Sequence, residues 1–355
     1  MLFEPYNNKQ LFALDNIKNK VFDDFKNGKM HHSLIFVGNK GVGKATLAYH
    51  LANKILDSNT TLKNNAPTSL FGDIVNENVL DDNNPTFNLI KNRKHPDLLV
   101  IEKEIDSKTS KMDKEIKVSS ARKISDFMSL APFASKYKII IIDSIDEMNV
   151  SAQNAILKSL EEPVKDTFIF LICHNINNVL ETILSRCRKI NIPNYSFNDW
   201  EKIMEYVYKD KFKLLTPDQK NKLYDISNSS ISFSVDIIEE DGIFLYEYIE
   251  TLLSGNNFDV ESIQTFADKL NNNEKLYSLF VDFIQLFLYN ILKYYTNNEG
   301  DETFRKKNYN FILRNNEKSI LEKIEFTKNL IRDTDIYNLS KKHALVVLFD
   351  KLFNF

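Results

Sequence analysis

The stretch "SLIFVGNKGVGKATLAYHLANKIL", residues 33–56, constrains this 355-residue chain more than any other. The run Ser33–Val37 reads as a buried strand. Three glycines follow within six positions, Gly38, Gly41 and Gly43, and an amphipathic helix leaves them from Ala45 onward. Strand, glycine turn and helix in that order aim backbone N–H groups and a helix N-terminus at one point, which suits an anion. Lys44 completes the G-x-x-x-x-G-K pattern of a phosphate-binding loop, where the lysine reaches the β- and γ-phosphates of a nucleotide. That pattern asks for Ser or Thr next. Ala45 stands there instead, and the hydroxyl arrives one residue late, at Thr46. One residue is about 100° around a helix, so Thr46 is not expected to take over the missing role.

Further strands are read at "DLLVIE" (97–102), "KIIIID" (138–143), "TFIFLIC" (167–173) and "RKINIP" (188–193), with helical patterns between them. Such alternation predicts an α/β module, a parallel sheet with helices on both faces. "KIIIID" is apolar on both faces of the strand, which marks it as central. "SSARKISDFMSLA" (119–131) predicts a helix capped by its serines, with Ile124, Phe127, Met128 and Ala131 facing inward. Asn149 predicts the cap of another helix, with Ala152, Ala155, Ile156 and Leu160 as its stripe, stopped by Pro163. Residues 57–95 are rich in Asn, Asp and Thr and show little periodicity, so they predict a surface loop. After Pro193 the period is helical throughout, with Thr216 as a cap and Pro217 at a first helical position. Three domains are expected: an α/β module over 1–194, a small helical domain over 195–242 and a helical C-terminal domain over 243–355.

Composition excludes several classes. An apolar share of 43%, a charged share of 27% and a net charge of −3 fit a soluble globular protein, and speak against one that coats nucleic acid by charge. The two cysteines, Cys173 and Cys187, cannot build a disulfide framework or a four-thiolate zinc site, which suits a reducing cytosol. "MLFEPYNNKQ" lacks the basic and then apolar stretch of a signal peptide. "LYSLFVDFIQLFLYNIL" is interrupted by Asp282 and Gln285 and reads as a buried helix, not a membrane span. A cytoplasmic protein with no membrane partner is expected. His31 and His32 have no companion ligands and read as packing or helix-end residues, and the lysines of "YVYKDKFK" (206–213) as a solvated face. The aromatic-rich helices over 243–295 read as core and subunit interface, not as base-stacking platforms.

Asp143 closes the central strand about 100 residues after the glycine loop, where an acid helps to hold Mg²⁺ in nucleotide-binding folds of this kind. The next position, where a second acid often orients the attacking water, is Ser144. Taken with "HHSLIFVGNKGVGKATLA", "HPDLLVIE", "KIIIIDSIDEMNVSAQNAILKSLEEP" and "TILSRCRKI", this chain resembles the AAA+ clamp-loader subunits of bacterial DNA polymerase III, most nearly those of the delta-prime type. The resemblance is specific over about 31–50 and 95–190 and only architectural beyond. It implies an AAA+ P-loop module, a helical lid and a collar that assembles a five-subunit arc. The implied partners are the gamma/tau and delta subunits, with the sliding clamp and primed DNA reached through the complex. In "SRC" it implies that Arg186 acts in trans, as an arginine finger on the ATP of a neighbouring subunit. Such a finger can be worth roughly 10³- to 10⁵-fold in rate. The plainer alternative is a surface ion pair worth under about 1 kcal/mol.

Three departures from an ATPase point one way. Ala45 lacks the oxygen for Mg²⁺, Ser144 lacks the carboxylate for water, and Phe233 stands in "SNSSISFSVDII" where the lid of such a module usually brings an arginine. The expectation is a stator that does not hydrolyse ATP. Whether ATP or ADP and magnesium bind at all stays open at this point, and no metal site is expected. The family's four-cysteine zinc module would fall in 57–95, which holds no cysteine, so no zinc is expected. Cys173 reads as a core residue, and His174 or Asn175 stands where a polar sensor for the γ-phosphate is usual. Two rivals remain. An active gamma/tau-type ATPase would need Thr46 for Mg²⁺ and an acid such as Asp146 for water, and a DNA-binding adaptor would use the degenerate P-loop only as a scaffold.

Overall fold

A computed structural model of the chain describes residues 4–58, 80–104, 113, 115–255, 260–297, 306, 308–337 and 339–353. It divides into two compact units, residues 1–209 with 229–232, and residues 210–228 with 233–355. The expected 195–242 domain is thus shared between the units, and its far boundary at 242/243 lies inside the second.

The first unit is built on five strands: β1 (Ser33–Val37), β2 (Leu98–Glu102), β3 (Lys138–Asp143), β4 (Thr167–Cys173) and β5 (Arg188–Asn191). All pair in parallel, in the order β2-β3-β4-β1-β5. This is the expected α/β sheet. Its centre is dry because Ile139, Ile140, Ile141 and Ile142 are fully buried, and β-branched side chains suit a pleated surface covered on both sides. Chain order and spatial order part company at β1, which lies between β4 and β5. Ligands of open parallel sheets bind beyond the strands' C-terminal ends near such a point.

Helices α1 (Asp15–Lys26) and α2 (Lys44–Asp57) pack together, and α2 also packs on β3 and β4. Against the other face lie α4 (Val118–Ser129) and α5 (Val150–Glu161), whose Ile124, Met128, Ala152, Ile156 and Leu160 join Ile35, Ile140, Ile142, Ile169 and Leu171 in one core. Asn149 caps α5 as expected, accepting from Ala152 N at 2.9 Å. His32 is a helix-end residue, with its Nε2 donating to Leu160 O at 2.9 Å.

Two local expectations are corrected. A helix, α3 (Pro85–Lys91), lies within the predicted 57–95 loop. Asn84 caps it, accepting from Phe87 N at 3.0 Å, Pro85 sets its first turn, and Phe87 and Ile90 are buried. Residues 59–79 of that stretch lie outside the described residues. In α4 the serines are not caps. The helix starts at Val118, so Ser120 already lies in its first turn and donates to Glu104 Oε1 at 3.0 Å. Ala131 falls beyond the end of α4 and is exposed.

Two further elements of this unit are α6 (Glu181–Leu184) and α7 (Phe197–Val207). At the sheet's N-terminal edge, buried Asp97 accepts from the backbone of Phe133, Ala134 and Ser135 at 2.6, 2.7 and 2.8 Å, fixing the turn that feeds β3. Buried Lys138 donates to Phe127 O and Leu130 O from the other side of that turn.

The second unit is helical throughout its described residues. Thr216 and Gln219 form a reciprocal capping box, with Pro217 at the first helical position, as the sequence indicates. The helix Glu274–Asn297 is the one described helix long and apolar enough to cross a membrane. Its Phe280, Phe283 and Phe287 are fully buried, with rings 5.6 Å from Phe349, 5.3 Å from Tyr246 and 5.1 Å from Phe311, so it serves as a core helix of this unit. Phe233 joins the same core, 6.1 Å from Phe283.

Candidate functional site

The C-terminal ends of β1, β3 and β4 bring the predicted loop residues together. Gly38 follows β1, and its N–H donates to Cys173 O at 3.3 Å. Gly41 and Gly43 have φ of +80° and +81°, the left-handed region that side-chain-bearing residues rarely adopt. A Cβ on Gly41 would meet Ser230 Oγ at 2.1 Å, and one on Gly43 would meet Tyr195 Oη at 2.5 Å. Gly43 is the N-cap of α2, so the helix N-terminus opens directly onto the loop. Sequence reasoning missed two parts of this frame: Tyr195, and the strap 229–232, where Ile231 N donates to Gly41 O at 3.1 Å. The sequence reading treated that strap only as part of the lid stretch "SNSSISFSVDII", and nothing local links it to the glycine loop.

Lys44 is buried, and its ammonium donates to Gly38 O at 2.7 Å and to Asn39 O. Burial lowers its pKa from 10.5 to about 8, against the pull of Asp143 and Asp146. Beside it, Asp143 is pushed up to about 6, by burial first and then by Glu102 and Glu147. Glu102 is its register partner on β2. An open cleft of about 640 Å³ adjoins these groups, lined among others by Lys40, Glu102, Asp143, Glu147 and His174. Three of its carboxylates already have cations: Glu102 pairs with Arg93, Glu147 with Lys103 at 3.0 Å, and Glu104 with Lys123 at 2.6 Å. Among the described residues no cluster of His, Cys, Asp and Glu could hold a metal ion.

Ala45 and Thr46 open α2, half-buried, and Ala45 brings no side-chain oxygen. Ser144 is buried, and its Oγ has no hydrogen-bond partner among the described residues. Asp146, the acid named as an example for the ATPase rival, is committed elsewhere. Its two carboxylate oxygens accept from His174 N and Asn175 N, both at 2.9 Å. His174 is held neutral, its pKa lowered to about 4 by burial and then by Lys44. Cys173 is buried at the end of β4, and burial raises its thiol to about 11, as befits a core residue and not a nucleophile. The loop thus has the shape to cradle an anion. Around it, Ala45 brings no side-chain oxygen, Ser144 no carboxylate, and both carboxylate oxygens of Asp146 accept from backbone N–H groups.

Arg186 is not brought to this loop. It follows α6, and Arg188 pairs in register with Leu34 near the start of β1. Gly38 lies beyond the other end of β1, at least about 13 Å away along the strand direction at about 3.3 Å per residue. The guanidinium Nη2 pairs with Glu161 Oε1 at 2.6 Å, while Nη1 donates to Thr182 O at 2.7 Å. Glu161 was absent from the sequence reading, because nothing local links "EEP" to "SRC".

The profile of a family described as DNA polymerase III, delta subunit matches residues 14–196, the strands and loop just described. The chain belongs to this delta-subunit family. The DNA polymerase III subunit delta' of Pseudomonas aeruginosa is 31% identical over 156 residues, 44% of this chain and 41% of that protein. The subunit delta' of Bacillus subtilis is 26% identical over 170 residues, 48% and 44% of the two chains. The DNA polymerase III subunit gamma of Buchnera aphidicola is 23% identical over 238 residues, 67% and 59% of the two. These matches thus span less than two thirds of the relatives' lengths. A solved gamma subunit-related protein of Thermotoga maritima aligns over 96% of this chain and 98% of its own, at 14% identity and a TM-score of 0.45. The family match covers Gly38, Gly41, Gly43, Lys44, Asp143 and Arg186 and stops at the first residues of the helical part.

Proposed function

We propose that this chain is a delta-prime-type subunit of a DNA polymerase III clamp loader, a stator that does not hydrolyse ATP itself and supplies Arg186 to the ATP site of a neighbour. One observation carries the reading. Arg186 lies at the N-terminal edge of a parallel sheet whose C-terminal edge holds the chain's own glycine loop. An arginine so placed cannot serve its own loop, but it is available to a nucleotide held by another chain. There its charge would offset the charge that develops on the γ-phosphate. The chain's own residues support the passive half of the reading: Ala45 offers no oxygen, Ser144 no carboxylate, and Asp146 is spent on the backbone of His174 and Asn175.

In this reading the partners are gamma/tau and delta subunits, and the sliding clamp and primed DNA are met through the complex in the cytoplasm. The lid would take in residues 195–242 and the collar 243–355, and no zinc is used. Nucleotide at the loop is at most a structural ligand. The test is substitution of Arg186 in the assembled complex, with ATP hydrolysis by the partners and assembly read separately. The rival reading, an active motor subunit, is favoured by the intact loop geometry at Gly41, Gly43 and Lys44. It requires magnesium-dependent turnover by the isolated chain.

A further inference from the structure

We infer that Glu161 is a latch on Arg186: its carboxylate holds the guanidinium in the free chain and gives it up when the phosphate of a neighbouring subunit arrives. This rests on the trans-acting reading of Arg186. Both terminal nitrogens of Arg186 are engaged within the chain. Nη1 donates to Thr182 O at 2.7 Å and to Ser185 Oγ at 3.1 Å, and Nη2 pairs with Glu161 Oε1 at 2.6 Å.

A guanidinium meets a phosphate best through two parallel N–H···O bonds, so an intramolecular partner has to leave first. Thr182 O belongs to the backbone of α6 and is fixed. Glu161 sits on the last residue of α5, on a flexible stem, with its side chain 46% exposed against 34% for Arg186. It is the partner that can turn away without moving either helix. While closed, the pair presents almost no net charge to an approaching phosphate. When it opens, the guanidinium faces the phosphate without the carboxylate against it. Arg188 does not compete for the carboxylate, since it pairs with Asp24 at 2.7 Å. An exposed pair is weak, so the latch biases the finger and does not block it.

The experiment uses the reconstituted complex with Glu161→Gln, Arg186→Ala and the double variant, following ATP hydrolysis by the partner subunits at low and high salt. Glutamine keeps the size and removes the charge. Hydrolysis is expected to rise by up to about fivefold with Glu161→Gln at low salt. The gain should shrink as salt screens the pair in the unsubstituted chain. The double variant should match Arg186→Ala alone. Hydrolysis with Glu161→Gln at or below the unsubstituted level, while Arg186→Ala impairs it, overturns the latch and leaves the finger standing. An Arg186→Ala complex with unchanged hydrolysis overturns both.

Discussion

Asp143 stands in register with Glu102 across the β2–β3 pair, two carboxylates side by side at the C-terminal edge of the sheet. The neighbour adds to burial in raising Asp143 from 3.8 to about 6. In the folded chain the group keeps its proton up to that value, whereas an unfolded carboxyl loses it near 3.8. The folded state therefore binds more protons in that window, and the stability owed to this group falls as pH rises from about 4 to 6 and stays reduced at pH 7. Asp143→Asn removes the buried charge. It is expected to stabilise the first unit by about 1–2 kcal/mol at pH 7 and to leave it unchanged near pH 4. Denaturant unfolding at both pH values checks this, and an equal gain at both would show that ionisation is not the cause.

Asn84 carries the cap of α3, the helix hidden in an otherwise polar stretch. Asn84→Ala is expected to cost about 1 kcal/mol of stability. Ser or Asp at the same position should restore most of it, since either can accept the bond from Phe87 N. A variant as stable as the parent would mean that the helix is held by Phe87 and Ile90 alone.

Ala45→Ser returns the oxygen that the loop lacks. It is expected to leave the isolated chain without magnesium-dependent ATP turnover, because Ser144 still brings no carboxylate and Asp146 is held by two backbone N–H groups. Turnover after this one change would place the acid somewhere unforeseen, with Asp143 or Glu102 the first residues to substitute next.

What the sequence disclosed and what it withheld divide by range. The glycine loop, the run Ile139–Ile142 and the caps Asn149 and Thr216 are local patterns, and the structure forms each where the text placed it. The α3 helix was missed because "NNPTFNLI" puts one strong start signal inside a stretch whose composition speaks for a loop. The serines that open α4 misled for the opposite reason: they look like caps but lie two and three residues past the N-cap Lys117, inside the first turn. The backbone-holding roles of Asp97 and Asp146 were beyond reach. The first secures backbone 36 to 38 residues away and the second 28 to 29 residues away, and no periodicity signals such pairings. Arg186 was visible through a motif, but its opposition to the glycine loop follows only from the parallel register of β5 on β1.

That opposition makes ATP hydrolysis by the reconstituted complex carrying Arg186→Ala the most direct test. Hydrolysis by the partner subunits is expected to fall by at least about 10²-fold, towards the roughly 10³- to 10⁵-fold typical of a lost arginine finger. Assembly should be unaffected, since Arg186 is a half-exposed residue outside the core. Arg186→Lys should stay impaired, because an ammonium cannot form the paired contacts of a guanidinium. Hydrolysis at the unsubstituted rate in a fully assembled Arg186→Ala complex would contradict the assignment.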